Sequence, residues 1–132
     1  MNGVVGRRAA ERAFGHAGLR RDDVDVLELS DPFSFEIIRQ LEAFGFCDEG
    51  EGGPFVADGH IAIDGSHPTT TDGGTMSFSH AGSNPQMMQR AVQQLRGRAG
   101  DRQVPDAHIA LCSNGGAGAL LTTVLILGDE PR

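Results

Sequence analysis

Residues 24–44 join a β-like run directly to a helical stripe, and few architectures accommodate that junction. Val24-Asp25-Val26-Leu27-Glu28-Leu29 alternates in part, as a strand with one better-buried face does. It runs into Ser30-Asp31-Pro32, where Asp31 has the chemistry of an N-cap and Pro32 that of a first helical residue. Phe33, Ile37, Ile38, Leu41 and Phe44 then recur at helical spacing until Gly45. A strand feeding straight into a helix belongs to α/β sheets, in which ligands gather beyond the strand ends.

Two further stripes extend this pattern. Val5, Ala9, Ala10, Ala13, Phe14 and Ala17 share a face ahead of Gly18, and Met87, Met88, Ala91, Val92 and Leu95 follow the cap-like pair Asn84-Pro85. The spacing predicts helices over 3–17, 32–44 and 85–97. Between the second and third, an acidic glycine-rich segment at 48–53 and the short runs Phe55-Val56 and Ile61-Ala62-Ile63 predict irregular loops with short strands. His108–Cys112 and Leu120–Leu127 read as two adjacent strands joined by a glycine loop. The expected fold is a layered α/β domain, its mixed sheet covered by helices, with residues 1–132 forming one domain.

Charge and cysteine usage narrow the function. With 11 basic and 18 acidic residues the net charge is −7, which repels phosphate backbones and argues against nucleic acid as a partner. All the basic residues are arginine. Cys47 and Cys112 are too few for a disulfide framework, no apolar stretch approaches the roughly 18 residues of a membrane span, and Met1–Arg8 lacks the apolar core of a signal peptide. A cytoplasmic, reduced setting is expected. Cys47, Asp58, His60, Asp64 and His67 lack the spacing of a zinc or facial-triad site, so no metal is expected.

Two loops carry candidate chemistry. Thr69–Pro85 is dense in Gly, Ser and Thr and presents one imidazole, His80, on backbone that Gly73, Gly74 and Gly82 leave free to turn. Cys112-Ser113-Asn114-Gly115-Gly116-Ala117-Gly118 presents a thiol in a similar setting. Each residue alone has a plainer reading, His80 as a solvated loop residue and Cys112 as an inert buried thiol. The second loop leads into a β-like run rather than a helix and has no Gly-Lys-Ser/Thr, which disfavours nucleotide phosphate binding.

The order of motifs is more specific than any one of them. A strand into Ser-Asp-Pro-Phe-Ser, then Gly-Phe-Cys and Gly-Glu-Gly, then Gly-Gly-Thr-Met-Ser-Phe-Ser-His, Gln-Leu-Arg-Gly and Cys-Ser-Asn-Gly-Gly-Ala-Gly resembles the C-terminal half of the thiolase superfamily, particularly its sterol-carrier and lipid-transfer branch. Thiolases place Asn-Glu-Ala-Phe or His-Asp-Cys-Phe at a helix start, then a Gly-His-Pro loop and a Cys-x-Gly-Gly-Gly-x-Gly loop around the thioester. Ser30-Asp31-Pro32-Phe33 matches the first, His80 the histidine of the second, and Cys112 with Gly115, Gly116 and Gly118 the third. Ser30 replaces the residue that helps hold an oxyanion, Pro32 the reactive cysteine of the sterol-carrier branch, Ala81 a proline and Asn114 a glycine.

The resemblance implies carbon–carbon bond cleavage or formation beside a thioester, either thiolytic or retro-aldol. His80 would be an oxyanion donor, Cys112 the acid, Ser30 part of the site, and Asn114, Gly115, Gly116 and Gly118 the backbone against the substrate. Coenzyme A enters as the substrate's carrier, with no tightly bound cofactor. The attacking cysteine of thiolases lies in an N-terminal half with no counterpart in residues 1–132, so a partner chain supplying that half is expected, together with an exposed apolar patch on this one. An OB-fold protein of the DUF35 type is a further expected partner. The alternatives are a non-catalytic interaction module derived from a thiolase and a truncated chain with no function of its own. If the catalytic reading holds, His80 and Cys112 share one pocket, with Ser30 and the start of the second helix on its rim.

Overall fold

A computed structural model describes residues 4–78, 83–116 and 121–130. In chain order the elements are α1 (Val4–Ala17), β1 (Val26–Glu28), α2 (Ser34–Phe44), α3 (Gly52–Ala57), α4 (Gly74–Ser77), α5 (Ser83–Leu95), β2 (Ile109–Gly116) and β3 (Leu121–Gly128). The sheet order is β1-β2-β3, with β1 parallel to β2 and β2 antiparallel to β3. The sheet is thus mixed and covered by helices, as the sequence predicts.

Two apolar clusters sandwich the sheet. Phe14 from α1 and Leu41 and Phe44 from α2 meet Leu27, Leu29, Ile109 and Leu111 on one face. On the other, Met87 and Ala91 of α5 meet Val26, Ala110 and Cys112. Successive residues of a strand point to opposite faces, so β1 is buried throughout, a layer more than the single buried face its sequence implies.

All three long helices lie where their apolar spacing predicts them. Gly45 takes the left-handed conformation (φ 82°) and ends α2, with Gly45 N donating to Glu42 O at 3.2 Å and Phe46 N to Leu41 O at 2.9 Å, the paired bonds of a Schellman motif. The start of α2 differs from the expected cap. Phe33 is extended (φ −146°, ψ 146°), the helix begins at Ser34, and Asp31 turns away from it to bond elsewhere.

The segment 46–68 also departs from the expected short strands. Phe55 and Val56 lie in α3, and residues 61–63 form turns. Gly52 N donates to Glu42 Oε1 at 3.1 Å, which secures the start of α3 to α2. A Cβ at Gly52 would stand 2.7 Å from Ile38 Cγ2, so this approach requires glycine. Strand β2 also runs further than expected, through Ser113 to Gly116, because its residues pair in register with β3 from Ile109↔Gly128 to Gly116↔Leu121. Ladder bonds to β3 thus hold as strand a stretch whose glycines read locally as loop.

Candidate active site

Of the candidate residues, Cys112 and Asn114 of β2 face a pocket beside α5, whereas Ser30, just past the end of β1, is bonded on the α2 side and does not line that pocket. Cys112 lies directly opposite Glu28 in the β1–β2 register and is 4% exposed. Its Sγ donates to Met87 O of α5 at 3.6 Å, and burial, reinforced by the Glu28 carboxyl, pushes the thiol up to about 12. Cys112 is therefore a thiol at neutral pH and not a standing nucleophile. Cys112 and Asn114, together with Met87, Met88, Thr123 and Leu125, line a pocket of about 210 Å³ between α5 and the β2–β3 hairpin. That volume is below the roughly 300–1,000 Å³ of sites that enclose a drug-sized ligand, so it suits a reacting end and not a whole thioester.

Ser113, next in the strand, points toward α2. Its Oγ accepts from Ser30 N at 3.2 Å and donates to Gln40 Oε1, while Gln40 Nε2 donates to Ser30 O at 2.7 Å. Ser30 is 2% exposed, its backbone fixed on both sides. The sequence singled out neither Gln40 nor Ser113. Gln40 lies within the spacing of the α2 apolar stripe, where a buried polar residue signals a specific partner.

Asp31 caps α4 from across the fold. Its Oδ1 accepts from Thr75 N at 2.7 Å and Thr75 Oγ1 at 2.8 Å, and its Oδ2 from Met76 N at 3.4 Å. This ties the Ser30–Phe33 turn to the segment that leads toward residue 80. His80 and Gly118 themselves lie outside the described residues, as does the junction between β2 and β3. Gly115 and Gly116 belong to β2, paired with Thr122 and Leu121.

Beneath this surface lies a polar cluster that sequence patterning missed. Glu28 is fully buried, Thr71 Oγ1 donates to its Oε1 at 2.6 Å, and desolvation raises the carboxyl to about 8. Gln94 Nε2 donates to Thr71 Oγ1 at 2.9 Å and to Arg102 O at 2.7 Å, and Gln94 Oε1 accepts from Val104 N at 2.9 Å. Asp72 accepts from Gln86 Nε2 at 3.0 Å and Gly74 N at 2.8 Å.

With that geometry in view, the family model described as "Thiolase C-terminal domain-like" matches residues 4–129. The chain belongs to the thiolase C-terminal domain family. Sterol carrier protein 2 of Oryctolagus cuniculus is 39% identical over 127 residues, covering 94% of this chain and 23% of that protein. The 17-hydroxy-3-oxo-4-pregnene-20-carboxyl-CoA lyase of Mycobacterium tuberculosis is 34% identical over 127 residues, 96% of this chain and 31% of the relative. The solved Ltp2-ChsH2(DUF35) aldolase superposes with a TM-score of 0.87 at 27% identity, covering 96% of this chain and 32% of that one. This thiolase-type chain thus spans about a quarter to a third of the length of such relatives. Among its described residues, no helix is long and apolar enough to cross a membrane.

Proposed function

We propose that this thiolase-type domain is the C-terminal half of an enzyme that makes or breaks a carbon–carbon bond beside an acyl-CoA thioester. One observation carries the reading: Cys112 and Asn114, the third motif's thiol and the residue replacing its glycine, line a common pocket in a domain that superposes on an aldolase. Retro-aldol cleavage is the form of the reaction favoured, because related proteins carry the names of lyases and aldolases. Cys112 delivers a proton to the carbon freed by cleavage, and His80, with the backbone of the Asn114–Gly118 stretch, meets the charge on the enolate oxygen.

The remainder of the site comes from an N-terminal thiolase-type half, in the same longer protein or in a partner chain. The surface of the domain favours such a cover. Phe33 (63% exposed) and Phe35 stack on each other at 5.9 Å, and Met76 and Phe78 (66% exposed) lie across the Asp31–Thr75 contact. An open groove of about 710 Å³ along α5 is lined by Pro85, Met88 and Val92 together with the polar Gln89, Gln93, Arg96 and Arg98. Apolar patches of this kind in a soluble protein mark surfaces that another body covers. An OB-fold protein of the DUF35 type, the kind that the solved aldolase carries in its name, is a further partner in this reading and supplies surface for the CoA moiety.

Co-expression with an N-terminal thiolase-type half, followed by mass measurement of the intact complex and an assay for acyl-CoA cleavage, tests the proposal. The complex is expected to assemble and turn over, and His80→Ala to abolish cleavage while leaving assembly intact. Turnover unaffected by His80→Ala and Cys112→Ser would overturn it. Ser30 and Pro32, which replace a polar and a reactive group of the family, favour a second reading as a non-catalytic module, and a complex that assembles without activity would support it.

A further inference from the structure

Glu28 is the one fully buried carboxylate-bearing side chain in the polar cluster beneath the site, and the proposed cleavage leaves it unused. Its environment is unusual in three ways. The carboxyl points from β1 toward α5, on the same face as Cys112, its direct partner in the strand register. One oxygen is engaged by the Thr71 hydroxyl, while Oε2 is buried with no hydrogen-bond partner among the described residues. Among those residues no cation neutralises it by contact: Arg90 of α5 lies near enough to be felt, but its Nε stands 3.9 Å from Asp72 Oδ2 and makes no hydrogen bond.

A carboxylate with an empty buried oxygen and no ion pair is strongly penalised, whereas a carboxylic acid there is not. The charged and titratable groups facing it are Cys112 from β2, Asp72 from the segment after β1's bridge partner, and Arg90 from α5. Asp72 opposes ionisation of Glu28 and Arg90 favours it, and the burial outweighs both.

We propose that Glu28 is a positioning residue that works as the neutral acid, so that Cys112 can become a thiolate when it gives up its proton. The inference rests on the acid role assigned to Cys112 above. In that step the Sγ–H bond breaks, its proton bonds to the carbon released by cleavage, and the enolate's electron pair forms the new C–H bond. The carbonyl reforms, and sulfur keeps the pair as thiolate. Negative charge thus appears on Sγ beside the residue paired with it. An ionised Glu28 would oppose that charge in a site of low dielectric, while the neutral acid does not. Loss of the Glu28 proton therefore switches the site down from below, without contact with substrate.

Alkylation of Cys112 by iodoacetamide, followed peptide by peptide by mass spectrometry between pH 6 and pH 10 on the full chain in its assembled complex, tests this without recourse to turnover. Thiolate supply governs the rate. In the unmodified protein the logarithm of the rate is expected to rise with pH, to bend near the Glu28 midpoint of about 8, and to rise again. Glu28→Gln keeps an acceptor for Thr71 but carries no charge, so its profile is expected to be straight. Above the bend it should react about three- to tenfold faster, the effect of a shift of roughly half to one unit in the thiol. Superimposable profiles would overturn the proposal. Should the variant fail to fold, carbon NMR of the Glu28 carboxyl in the unmodified protein decides instead: a midpoint near 8 supports the neutral acid, and one at the ordinary glutamate value overturns it. Inactivity of the complex with a bent alkylation profile would count against the catalytic reading and leave the Glu28–Cys112 coupling standing.

Discussion

Asp31 and Thr75, 44 positions apart, are joined by two hydrogen bonds to a single carboxylate oxygen: Oδ1 accepts from Thr75 N at 2.7 Å and from Thr75 Oγ1 at 2.8 Å. The residue that local sequence assigns to the start of α2 instead anchors the start of α4. Through it, the turn after β1 and the segment leading toward His80 become one unit.

Asp31→Ala is therefore expected to destabilise the protein by about 2–3 kcal/mol, because it removes charged acceptors and leaves buried donors unpaired. Urea denaturation measures the change. Asp31→Asn, which keeps one acceptor oxygen, should cost about half as much by the same reasoning.

Gly74 shares that contact and tolerates no side chain. A Cβ there would stand 2.2 Å from Asp31 Oδ2 and 2.4 Å from Thr70 Cγ2, on backbone at φ +63°. Gly74→Ala is expected to cost about 2–4 kcal/mol from strain and overlap together. Gly15, within α1, meets nothing within 4 Å, so Gly15→Ala should instead stabilise by about 0.5–1 kcal/mol. Thermal unfolding of the two variants should shift in opposite directions.

The Glu28 carboxyl also gives stability a pH dependence of definite sign. Its midpoint rises from 4.5 to about 8 on folding, so between those values the unfolded chain has released a proton that the folded one retains. Stability is fully present below the unfolded value and falls as pH rises, by about 1.4 kcal/mol per pH unit for this group, levelling off above the folded midpoint. Glu28→Gln should remove that slope, which denaturation midpoints measured from pH 5 to pH 9 would detect.

Gln94 is the hub of the same cluster, with donors to Thr71 and Arg102 O and an acceptor for Val104 N. Gln94→Leu keeps its bulk but leaves Val104 N and Arg102 O without their partner, while Thr71 Oγ1 keeps only its bond to Glu28, and is expected to cost about 2–3 kcal/mol. Loss in urea denaturation as small as for an exposed position would refute that role.

The helices were legible because α1, α2 and α5 each bury one stripe, and a stripe is a local property of sequence. What could not be read depends on partners distant along the chain. Asp31 followed by Pro32 carries every local sign of a cap, and only the arrival of Thr75 decides otherwise. Gly115 and Gly116 look like loop until β3 pairs with them. Phe55 and Val56, after Gly52-Gly53-Pro54, form too short a run to separate helix from strand, and Glu42 settles it from α2. In the candidate site, Cys112 and Asn114 were marked by motif order and share a pocket. Glu28, Ser113 and Gln94 carried no signal, because a polar residue in a half-apolar run reads as solvent-facing until a second layer covers it, and Gln40 was marked only by its place on the α2 stripe. His80 and Gly118 lie beyond the described residues.

The central residue of β1 has its outward backbone already committed. Leu27 N donates to Pro68 O and Leu27 O accepts from Thr70 N, both at 2.8 Å, in the isolated bridge Leu27↔Thr69. An irregular segment thus occupies the edge at which an incoming strand would have to bond, and a strand of three residues offers no other outward pair at its centre. Among the described residues, sheet extension is left to β3, eight residues long and at the opposite edge. Any association of this domain by strand addition would therefore grow in one direction only, alongside the strand whose Thr123 and Leu125 line the candidate pocket.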